Sequence, residues 1–165
     1  MKDAFWLEPR ELRTFRSLDR SWRALMTRLD EDLGWDVGLP RTYFEILWRL
    51  RRAPSWSMRI NDLAIETGSK ASRMAHAIGR LEAEGLMRRE PAEGDRRGWT
   101  AVLTEHGLRT VELAAPRFAR TVRESFLDLL TPIMREELIA IGEGVVRELS
   151  PTKLNGPNME GDKGI

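Results

Sequence analysis

Between Ser69 and Leu81 the chain carries Lys70, Arg73, His76 and Arg80 and no acidic residue. On a helix, positions 69, 72, 73, 76 and 80 share one face, opposite Met74, Ile78 and Leu81. That face offers Ser69, Ser72, Arg73, His76 and Arg80, all hydrogen-bond donors, with Lys70 beside them. A DNA major groove admits one helix. Arginine can take guanine O6 and N7 together, and serine can contact phosphate or base. For an isolated helix a solvated surface face is the more common explanation, so the neighbouring segments decide. Farther along, Pro91-Ala92-Glu93-Gly94-Asp95-Arg96-Arg97-Gly98 forms a polar, turn-rich tip between two strand-like segments, 86–89 and 99–103. Such a hairpin projects Arg96 and Arg97 past the body of the domain, and narrow minor grooves attract inserted arginine. Asp95 beside them fits an internal partner that keeps the tip in shape.

The elements that must position these groups follow from apolar spacing. Leu12, Phe15, Leu18, Trp22, Leu25, Met26, Leu29 and Leu33 recur at helical steps, predicting a long helix from about Pro9 to Leu33 that stops at Gly34. A second helix begins at Pro40, carries Tyr43, Phe44, Leu47, Trp48 and Leu50, and ends at Ala53-Pro54. Asn61 and Asp62 can cap a short helix, 63–67, closed by Gly68. Ser69 can cap the next, which runs to Glu84. Two such helices joined by Thr67-Gly68-Ser69 make a helix-turn-helix, and the hairpin after it is a wing. Thr104 caps a further helix through Leu129, in which Pro116 should cause a bend or a break. Thr131-Pro132 starts a last helix with Leu138, Ile141, Val145 and Leu149 in phase, and 151–165 reads as a disordered tail. The expected fold is mainly α with a small β-hairpin wing. Residues 39–103 would be the winged helix-turn-helix DNA-binding domain, and 1–38 with 104–150 a helical dimerisation region.

Composition narrows the function. The 165 residues include 27 Lys and Arg against 26 Asp and Glu, a net charge of +1, which argues against coating nucleic acid by bulk electrostatics. Of those cations 23 are Arg and 4 are Lys. Arginine suits bidentate recognition of phosphate and guanine, although a G+C-rich genome also raises it throughout a chain. No stretch free of charged residues exceeds about seven, too short to span a membrane. The first residues have no apolar core or cleavage site, so a cytoplasmic protein is expected. Zero cysteines exclude disulfides, thiolate metal sites and thiol sensing. His76 and His106 are the only histidines, no His/Asp/Glu set has metal spacing, and no Gly-rich phosphate loop follows a strand. Neither catalysis nor a cofactor is expected. Glu82 and Glu84, like Glu136 and Glu137, read as solvated faces.

Leu63-Ala64, Gly68, Ser72, Arg80-Leu81-Glu82, Gly85-Leu86, Arg89, the Asp95-Arg96-Arg97 tip and Leu103-Thr104-x-x-Gly107 occur in this order. Together they resemble the winged helix-turn-helix core of the multiple-antibiotic-resistance regulator (MarR) family over about residues 60–107. The resemblance implies a homodimeric transcriptional regulator, usually a repressor, whose terminal helices interlock. It places the recognition helix at about 69–84, with Ser72, Arg73, His76 and Arg80 among its DNA contacts. In the wing it implies that Asp95 supports the tip while Arg97 enters the minor groove. It also implies a small aromatic or phenolic effector bound between the dimerisation helices and the DNA-binding lobe. Phe15, Trp22, Tyr43, Phe44, Trp48 and Trp56 lie on segments that could line that site, and Arg16, Arg20 or Arg23 could balance an anionic ligand. Aromatics at helical spacing are also ordinary core or interface residues.

Dimerisation has independent support, since the first helix and the last two carry more large apolar residues than the small winged domain can cover. A two-fold dimer buries such surface and presents two recognition helices one helical turn apart. The expected target is a pseudo-palindromic duplex of about 15–20 base pairs. The alternative reading is a winged-helix protein-interaction module that does not bind DNA.

Overall fold

The computed structural model describes residues 6–94 and 98–149, with 35–37 as backbone only. It divides into two compact units, residues 1–123 and 124–165. In chain order the elements are α1 (Pro9–Val37), α2 (Arg41–Arg52), β1 (Ser57–Arg59), α3 (Ile60–Glu66), α4 (Ala71–Ala83), β2 (Met87–Pro91), β3 (Trp99–Leu103), α5 (Glu105–Ser125) and α6 (Pro132–Leu149). Short 3-10 turns occupy Pro54–Trp56 and Leu127–Leu129. The fold is mainly helical with a small antiparallel wing sheet, as the apolar spacing and turn residues imply.

Pro9 opens α1 at a position where its missing N–H costs nothing, and the Glu11 carboxylate accepts the Glu8 N–H at 2.8 Å. The helix does not stop at Gly34. It continues to Val37 and is closed by Gly38, whose φ of 63° lets its N–H reach the Gly34 carbonyl. A glycine inside a helix costs about 1 kcal/mol and is tolerated, whereas a left-handed terminus strongly favours glycine. The helix α2 lies between Pro40 and Ala53 at its caps, as the spacing predicts, and buries Phe44, Ile46, Leu47 and Leu50.

These side chains meet Leu33, Leu63, Met74, Ile78, Leu81, Leu86, Met87, Leu103 and Val111 in one core. Full burial of each large apolar side chain contributes about 1.5–3 kcal/mol. The Phe44 ring packs against Phe118 at a centroid distance of 4.8 Å, which brings α5 onto α2.

The helix-turn-helix differs from expectation at both caps. Helix α3 begins at Ile60 with Arg59 in the cap position, so Asn61 and Asp62 lie in its first turn. Gly68 closes the turn at φ 61°. Ser69 is not the N-cap of α4, because its N–H bonds the Ala64 carbonyl at 2.9 Å and ties it to the turn. Lys70, with extended backbone, takes the cap position.

The sheet has the order β1-β3-β2, antiparallel throughout. The hairpin of β2 and β3 was expected; the third strand was not. On β2 only Met87 is buried, while Arg88, Arg89, Glu90 and Pro91 face solvent along the outer edge.

Thr104 caps α5 as expected, and does more. Its Oγ1 accepts the Gly107 N–H at 3.0 Å and donates to the Gly85 carbonyl at 2.7 Å. Gly107 packs so closely that a Cβ there would lie 2.0 Å from the Leu86 carbonyl oxygen. Helix α5 runs through Pro116 without a break and ends at Ser125. The interruption falls at Phe126, whose φ of −142° and ψ of −61° leave the helical range. In its C-terminal half, α5 meets α1 at Asp32. This buried carboxylate accepts hydrogen bonds from Thr121 Oγ1, Arg117 Nη2 (3.0 Å) and Arg28 Nε (3.2 Å).

In the second unit, Thr131 Oγ1 accepts the Met134 N–H at 3.3 Å and caps α6. Arg135 donates to the Leu127 carbonyl at 2.7 Å. No residue of α6 is buried, and Ile133, Ile139, Ile141, Val145, Val146 and Leu149 all face solvent. Residues 151–165 lie outside the described residues.

Candidate nucleic-acid interface

Helix α4 is fixed by Met74, Ala77, Ile78 and Leu81, all buried. Their spacing forces Ser72, Arg73, His76 and Arg80 outward, and all four are exposed, as is Lys70. Ser69 is half-buried in the turn. The predicted donor face is therefore brought together on one side of one helix. Among the described residues, no acidic side chain pairs with Lys70 or Arg73. Arg80 does have a partner, Glu84, at 3.5 Å and on the surface, where such a pair is worth at most about 1 kcal/mol. Next to this face, Tyr43, Ser72, Arg73, His76 and Ala77 line a cleft of about 580 Å³ between α2 and α4.

Glu82 is not merely a solvated residue. Its Oε2 accepts from Arg89 Nη2 at 2.5 Å and its Oε1 from the Arg89 N–H at 3.3 Å, joining α4 to β2. The hydrogen bond from Arg89 holds the Glu82 carboxyl below its usual range and the guanidinium above its own. The Arg89 guanidinium also stands 5.9 Å from the Trp99 ring centroid on β3. From β1, Arg59 Nη2 donates to the Glu93 carbonyl at 2.9 Å, near the tip of the wing. Arg59 and Trp99 were not among the sequence candidates. Trp99 could have been noticed as an aromatic residue directly beside the tip, whereas Arg59 lies in a segment with no recognisable pattern. Asp95, Arg96 and Arg97 lie outside the described residues.

The aromatic residues proposed for an effector do not share one cleft among the described residues. Phe15 and Trp22 are exposed on α1, at 60% each. Tyr43 lines the cleft beside α4, while Trp48 lines another with Arg49, Arg52 and Met58. Trp48 also stacks on Phe44 at 6.0 Å and lies under Arg51 at 5.8 Å. Among the described residues, no group of three His, Asp or Glu side chains could hold a metal ion. No described helix is long and apolar enough to cross a membrane.

Two helices joined by a glycine turn, followed by an antiparallel hairpin rooted on the second of them, define a winged helix-turn-helix protein. The MarR family pattern matches residues 39–98. A MarR family transcriptional regulator from Streptomyces coelicolor, crystallised in complex with DNA, is 34% identical. That match covers 90% of this chain and 96% of the other, with a TM-score of 0.86. AbsC, a MarR family regulator from the same organism, is 39% identical over 87% of this chain and 97% of its own, with a TM-score of 0.83. The transcriptional regulator PecS of Dickeya dadantii is 35% identical over 99 residues, which span 57% of this chain and 55% of PecS. The chain belongs to the MarR family of winged helix-turn-helix transcriptional regulators, which are not enzymes.

Proposed function

We propose that this protein binds double-stranded DNA sequence-specifically as a homodimer and represses transcription from a pseudo-palindromic operator of about 15–20 base pairs. The observation that carries the reading is the exposed, acid-free face formed by Lys70 at the cap of α4 and by Ser72, Arg73 and His76 on it, with Arg80 beyond them. Ser69, Lys70, Ser72, Arg73, His76 and Arg80 would meet the major groove. Asp95, Arg96 and Arg97 would serve the flanking minor groove, with Asp95 bracing the tip. The relative crystallised with DNA supports the target class. The exposed apolar stripes on α1 and on α6 support a dimer.

The effector is an aromatic, phenolic compound that releases the operator. Tyr43 supports this reading most directly, because its cleft also contains Arg73 and His76, so an occupant there would compete with DNA. Phe15, Trp22 and Trp48, which do not line this cleft, remain candidates for such a site on α1 and α2.

Selection of bound duplexes from a random pool, repeated with phenolic ligands, tests these points together. Enrichment of an inverted repeat is expected, and recovery of no preferred sequence would overturn the reading. Replacing Arg97 by Ala should weaken operator binding by about tenfold, as for loss of one placed contact, while leaving the protein folded.

A further inference from the structure

We propose that Arg59 is a positioning residue for the wing. By holding the Glu93 carbonyl, it fixes the direction in which the β2–β3 ribbon leaves the body, and so the register between the tip and α4 on one duplex. The inference rests on the DNA-binding reading above. Strand β1 pairs with β3 only at Val102, Ala101 and Thr100, whereas β2 and β3 stay paired out to Pro91 and Trp99. Beyond Thr100 the wing is a two-stranded ribbon, which is marginally stable in water by itself. Arg59 is the last residue of β1, and its side chain extends the support past the end of the strand. Its Nη2 lies 2.9 Å from the Glu93 oxygen, 34 positions along the chain.

Between the ribbon and α4 lies a cleft of about 230 Å³ lined by Arg59, Asn61, Ile78, Arg89 and Trp99. That side of the ribbon borders this cleft, bridged to α4 by the Glu82–Arg89 pair. The Glu82–Arg89 pair secures the root of the wing, and only the Arg59 contact reaches the turn at Glu93 among the described residues.

The test is a double-mutant cycle on operator affinity, using the full chain and the selected duplex at one salt concentration. Arg59→Ala should weaken binding about five- to tenfold, the scale of one ordinary hydrogen bond. The Arg59→Ala/Arg97→Ala double variant should bind no more weakly than Arg97→Ala alone, because both changes disable the same element. If the two effects multiply, Arg59 acts on DNA directly and the positioning role is overturned. Wild-type affinity for Arg59→Ala beside a weakened Arg97→Ala overturns the positioning role and leaves the wing reading standing. Wild-type affinity for Arg97→Ala removes the wing reading and this inference with it. Unfolding temperatures establish that each variant is folded. Should Arg59→Ala fail to fold, Arg59→Gln, which is too short to span the gap, takes its place in the same cycle.

Discussion

Arg73 and His76 stand near the middle of the exposed face of α4, and their chemistry depends on what is missing around them. A cation already paired with a carboxylate must lose that partner before it can take a phosphate or a base. Arg80 has such a partner in Glu84, and no acidic side chain pairs with Arg73 among the described residues. Arg73→Ala is therefore expected to cost more operator affinity than Arg80→Ala. If Arg73 reads a base, its loss should cost about 1–3 kcal/mol and relax preference at one position; if it meets phosphate, all duplexes should weaken alike. Competition binding with base-substituted duplexes separates the two outcomes. The donor face was legible because helical spacing and local charge are short-range properties. The partner of Glu82 was not, because Arg89 reaches it only after the chain has turned at Gly85 and started a strand. Gly107 was visible as part of a motif without a reason, and the Leu86 carbonyl supplies one. Gly107→Ala should destabilise the protein by about 3 kcal/mol or more, read by chemical denaturation, because the obstruction is backbone and cannot rotate away.

Elements marked by their own apolar stripe or by a turn-rich tip were readable, and the strand defined only by pairing with a distant neighbour was not. The helices α1, α2 and α5 each begin where the spacing places them. Strand β1 is three residues, Ser57-Met58-Arg59, too short to display alternation, and it is extended because β3 pairs with it. The start of α4 was misplaced by one residue because Ser69 has two competing uses, and the turn claims it first. The packing of α1 on α5 depends on a polar group that no periodicity reveals. The hydrogen bond from Thr121 holds the Asp32 carboxyl below its usual range against the opposing effect of burial, with Arg117 and Arg28 assisting. A carboxylate depressed in the folded state contributes stability that is complete above its unfolded value, near 3.8, and is lost as the pH falls through the lower folded value. Unfolding temperature should therefore fall across that acid range in the wild type, and less steeply in Asp32→Asn. At neutral pH, Thr121→Val should cost about 1–3 kcal/mol, since it leaves a buried carboxylate oxygen one donor short.

At the scale of the whole molecule, a net charge of +1 coexists with a local cluster of cations. A dimer would double the cluster while the total stayed near neutral, giving steep salt dependence with modest affinity for random DNA. The apolar stripe on α1, with Phe15, Leu18 and Trp22 each at least 60% exposed, gives dimerisation a direct test. Trp22→Glu should shift sedimentation from dimer toward monomer while circular dichroism keeps its helical content, and an unchanged dimer would place the interface elsewhere. The outer edge of β2 has a separate consequence. A sheet edge with free N–H and C=O groups invites another chain to add a strand, and at high concentration that leads to aggregates. Here the edge presents Arg88, Arg89, Glu90 and Pro91, three charges and a residue that cannot donate. The wing can thus project from the body without recruiting the wing of another molecule. An Arg88→Val/Glu90→Val/Pro91→Val variant should form aggregates that light scattering detects under conditions where the wild type stays clear.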